Sequence, residues 1–99
     1  GVLTEYFTKS YMILIYDLSK KIQNTKGGNF MEGYIVTKIK LSEERLREYT
    51  QDEEELGEIK HSVVVDYLKN ILDGMTQEVA FEIAINKKLD ELRGMEHDY

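Results

Sequence analysis

Glu58 and His61 stand three residues apart, the helical spacing with which carboxylate-bridged di-iron sites hold metal. Such a centre also needs a second histidine and further carboxylates on facing helices. The other histidine is His97, near the end of the chain, and Glu32, Glu82 and Glu91 carry no paired motif. An acid and a histidine at this spacing on an exposed helix make only a weak ion pair, so no metal site is expected. The adjacent acids Asp52, Glu53, Glu54 and Glu55 would point several ways on a helix rather than converge on an ion. His97-Asp98-Tyr99 has ligand atoms, but at a terminus expected to be loose. Catalytic motifs are missing as well: there is no cysteine, no Gly-Lys-Ser/Thr phosphate loop and no serine elbow. Lys26-Gly27-Gly28 is too short to cradle a phosphate. The expectation is a protein that is not an enzyme, with no catalytic residue, no metal and no cofactor.

These residues sit in a chain of 99, enough for a single domain over 1–99 whose core a partner completes. With 41% hydrophobic and 32% charged residues it is globular rather than disordered. The longest apolar run, Tyr11 to Tyr16, is far shorter than a membrane span, and no cleavable signal is apparent at the start. The absence of cysteine fits a cytoplasmic protein. The net charge of −6 argues against broad nucleic-acid binding. Its distribution is uneven: residues 1–41 hold Lys9, Lys20, Lys21, Lys26, Lys38 and Lys40 against Glu5, Asp17 and Glu32, and the acids concentrate beyond.

The elements that would position any site follow from periodicity. Residues 2–18 read as strand or helix. Leu3, Phe7, Leu14 and Leu18 fit a helical stripe, whereas the aromatic and β-branched run Tyr11–Tyr16 favours a strand over about 10–18. Asn24-Thr-Lys-Gly-Gly-Asn29 reads as a turn, closing either a hairpin or an ordinary loop. Residues 34–41 alternate, with Thr37, Ile39 and Leu41 on one face and Val36, Lys38 and Lys40 on the other, as in a half-buried strand. Ser42 then reads as an N-cap, with Leu46 packing back on Leu41 and Glu43 and Glu44 in the first turn. That helix is expected to stop at Gly57. A second helix follows through Leu72, ending near Asp73-Gly74, and Thr76 caps a third that stops at Gly94. The expected class is α+β, dimeric.

Strand, helix, glycine turn and helix over 34–72 resemble the ribbon-helix-helix family of DNA-binding proteins. The resemblance implies a homodimer whose paired strands enter the major groove of double-stranded DNA, making the chain a sequence-specific transcriptional regulator. By position it would aim Val36, Lys38 and Lys40 at the bases. Lys60, His61 and Ser62, at the start of the second helix, would hold phosphate. The physics is compatible: a two-stranded ribbon fits the groove, lysine donates to guanine, and free amides at a helix start attract anions. Residues 1–33 would be an N-terminal extension and 76–94 a C-terminal helix, either one able to receive another protein. The alternative is a small, non-enzymatic, dimeric interaction or assembly protein of α+β fold with no nucleic-acid role.

Overall fold

The computed structural model describes residues 2–26 and 32–97. These form five helices: α1 (Val2–Tyr6), α2 (Lys9–Lys26), α3 (Glu32–Arg47), α4 (Glu53–Leu72) and α5 (Gln77–His97). Among the described residues there is no strand, so the fold is all-α and the α+β expectation is corrected. Gly27, Gly28 and Asn29 of the expected turn lie outside the described residues, as do Asp98 and Tyr99.

The decisive correction is at 34–41, where α3 replaces the strand. Eight residues of alternation were outweighed by a longer pattern: Ile35, Val36, Ile39, Ser42 and Leu46 are buried at helical spacing. Ile39 is 0% exposed and Leu41 71% exposed, although a strand would place both on one face. Ser42 does not cap anything. It is buried within α3, where its hydroxyl donates to the Lys38 carbonyl at 2.9 Å. Residues 10–18 are likewise helical, with Ile15, Leu18 and Ile22 buried and Ile13 exposed. Local β-propensity there yields to a buried stripe of period 3.6.

The helix expected from Ser42 to Gly57 is in fact the end of one helix and the start of another. Asp52 caps α4: its backbone is extended and its Oδ1 accepts from the Glu54 amide at 3.0 Å. Glu53, Glu54 and Glu55 therefore fill the first turn, where the helix dipole favours them. Gly57 lies inside α4, and a Cβ there would make ordinary contact, 3.7 Å, with the Tyr11 ring. The stop at Asp73-Gly74 is real. Gly74 takes φ 100°, its amide donates to Ile71 and that of Met75 to Asn70, which closes the end of α4 as a Schellman turn. Thr76 Oγ1 accepts from Val79 at 3.4 Å at the start of α5, which passes through Gly94 without stopping.

α4 is the central element. Among the described residues α2 and α5 each pack along it without close backbone contact to one another, while α1 bridges α2 and α3, and α3 leans on α4 and α5. Successive residues on a helix point about 100° apart, so the burial of Val63, Val64 and Val65 together requires cover on several sides. Tyr67 is fully buried between Tyr34 and Phe81 and donates to Gln77 Oε1 at 3.0 Å. Burial pushes its phenol well above the ordinary value. Asn70 donates to the Ala80 carbonyl, fastening α4 to α5. The molecule is elongated, 46 × 25 × 20 Å.

Candidate functional site

The residues expected to face DNA diverge. Val36 is buried in the core. Lys38 and Lys40, two positions apart on a helix, leave α3 on nearly opposite sides. Lys38 lies over the Tyr34 and Phe81 rings at 5.9 and 5.7 Å, and Lys40 over the Tyr6 ring at 5.9 Å. With no strand at 34–41, the ribbon-helix-helix arrangement is not formed, and nothing in the described fold supports DNA binding through it.

Lys60, His61 and Ser62 are not at a helix start either, since α4 begins seven residues before Lys60. The side chain of Lys60 is 13% exposed and donates to Glu43 at 2.8 Å. Arg47 donates to the same Glu43 oxygen and to Glu53, both at 2.9 Å, linking α3 to the first turn of α4. The Lys60 bond outweighs burial and, with Arg47, holds the Glu43 carboxyl below the ordinary range. Burial alone would lower the Lys60 pKa; Glu43 and the Tyr6 phenol reverse that and raise it. His61 stacks on Tyr11 at 4.6 Å and its Nε2 lies 3.1 Å from the Tyr11 carbonyl, tying α4 to α2. These groups hold helices together. Glu58 is exposed and does not join His61 in a metal cluster; among the described residues no three His, Asp or Glu side chains are placed to hold an ion.

No protein-family model, curated protein or solved structure matches this chain. None of its described helices is long and apolar enough to cross a membrane.

What stands out on the surface is a groove of about 590 Å³ between α3 and α5. Phe81 and Ile85 form its floor, Lys38 and Arg45 stand on the α3 wall, and Glu78 and Glu82 on the α5 wall. Burial and the Glu78 carboxylate push the Tyr34 phenol beside it upward. Elsewhere Arg47, Lys60, Lys87, Lys88 and Arg93 all pair with carboxylates. The four groove charges make no ion pair among the described residues, although the two signs face each other. Leu41 stands exposed on the rim, and Val79 and Ile83 lie exposed one row outward on α5. Sequence reasoning missed this arrangement because it placed Leu41 on a buried strand face. Its signal was available in the spacing: Lys38 and Arg45 are two helical turns apart, Glu78 and Glu82 one turn.

Proposed function

We propose that this chain is a non-enzymatic helical interaction protein that works as a homodimer, paired across the α3–α5 groove. One observation carries the proposal: unpaired charges of opposite sign on the two walls, beside the exposed Leu41, Val79 and Ile83. A two-fold contact places α3 of one protomer on α5 of its partner. Lys38 and Arg45 then meet Glu78 and Glu82 twice, and each Leu41 enters the opposite groove. Such isologous self-complementarity is what a closed dimer requires. The covered apolar residues supply affinity, and the flanking charges set the register. A role in DNA recognition is less favoured, because the lysines that would read bases leave α3 in different directions.

Sedimentation equilibrium tests this. The wild-type chain is expected to dimerise, and Leu41→Glu to weaken the dimer by at least about tenfold, or about 1.4 kcal/mol. A wild-type chain that stays monomeric at millimolar concentration, or a Leu41→Glu dimer of unchanged affinity, would contradict the proposal.

A further inference from the structure

A second groove runs along α2, on a flank the proposed dimer leaves open. Its origin is topological: among the described residues α2 and α3 make no close backbone contact, and the short α1 packs against both. Two hollows, of about 410 and 460 Å³, lie side by side along the helix and share Thr4, Met12 and Tyr16. The first is completed by Phe7 and Ile13, the second by Ser19, Gln23 and, from α3, Glu32. Ile13 is 74% and Tyr16 59% exposed, far more than structural side chains on the same helix.

Lys9 and Lys20 border this apolar strip, on the same side of α2 and three turns apart, about 16 Å. Lys20 rests over the Tyr16 ring at 4.7 Å, and neither lysine has a carboxylate partner among the described residues. Lys21, around the helix, is paired with Asp17 at 3.5 Å. From Lys9 to Gln23 the groove is about 21 Å long, the length of a helix of about 14 residues.

We propose that this groove takes an amphipathic helix of another protein. Its apolar side chains, at positions i, i+3, i+4 and i+7, would seat on Met12, Ile13 and Tyr16, with carboxylates three turns apart facing Lys9 and Lys20. The inference rests on the chain being an interaction protein, but it uses a face separate from the dimer contact. A recessed strip between two helices suits a helix ridge better than a flat lipid surface.

The test titrates two peptides of about 15 residues into the isotopically labelled full chain, followed by amide chemical shifts. Both carry the same apolar stripe; one has glutamate on the flanks, the other lysine. The acidic peptide is expected to bind, shifting Met12, Ile13 and Tyr16, with the basic peptide at least about tenfold weaker. The double variant Lys9→Glu, Lys20→Glu should invert that preference, an outcome that general unfolding cannot mimic. Absence of binding, equal binding of both peptides, or shifts centred on α3 and α5 would overturn the proposal. So would a wild-type chain that binds phosphatidylglycerol vesicles in preference to the acidic peptide, which would assign the strip to lipid. Sedimentation of the same samples separates the two claims: a dimer without peptide preference removes only the α2 groove, and peptide binding by a monomer removes only the dimer.

Discussion

Glu43 shows how the charges of this protein are spent on holding helices rather than on chemistry. It receives Lys60 and Arg47 at 2.8 and 2.9 Å, and Arg47 passes the connection to Glu53. The Lys60 bond, against burial and helped by Arg47, lowers the Glu43 pKa from 4.5. A folded-state pKa below the unfolded one means the folded chain binds this proton less readily. The stabilisation is therefore complete above the unfolded value and fades as pH falls through the folded value. Glu43→Gln should cost about 1 kcal/mol at neutral pH, and the gap from wild type should narrow once the pH is well below 4.5. Denaturant unfolding of both proteins at neutral pH and at pH about 3 reads this directly; a gap independent of pH would show that the ion pair contributes nothing. Gly74 and Thr76 were legible at this scale because their roles depend on backbone conformation and nearest neighbours. The Glu43 cluster was not, because Lys60 comes from another helix seventeen positions on.

At the scale of elements, the lesson lies in the same few residues of α3. Thr37, Ile39 and Leu41 alternate with Val36, Lys38 and Lys40, and eight residues of period two look like a strand. The pattern that wins spans Ile35 to Leu46, and it is visible only when Ser42 is read as a small residue facing the core rather than as a cap. Gly57 misled in the same way: a glycine inside a helix costs about 1 kcal/mol, which tertiary packing can absorb. α4 and α5 were legible, apart from where α4 begins and α5 ends, because both carry long apolar periods. Paired substitutions test the helix at α3. Ile39→Glu puts a charge in the core and should cost more than about 3 kcal/mol, whereas Leu41→Glu should leave far-UV circular dichroism and monomer stability nearly unchanged. Equal damage from the two would restore the strand.

At the scale of the whole molecule, the helices of the described residues leave one flank open beside α3–α5 and another along α2. The expectation of protein contacts through 1–33 or 76–94 touches both flanks, since Ile13 and Tyr16 lie in the first range and Val79 and Ile83 in the second. The groove could not be read from the chain, because Lys38 and Arg45 face Glu78 and Glu82 only once α3 lies against α5. A charge-swap mixture at that groove tests whether two protomers pair across it. Lys38→Glu with Arg45→Glu makes both walls acidic, and Glu78→Lys with Glu82→Lys makes both basic. By sedimentation, each double variant alone should be monomeric, while an equimolar mixture should form heterodimers, since every acidic wall then meets a basic one. Two variants that dimerise as well alone as the wild type, or a mixture that stays monomeric, would contradict the groove as the seat of assembly.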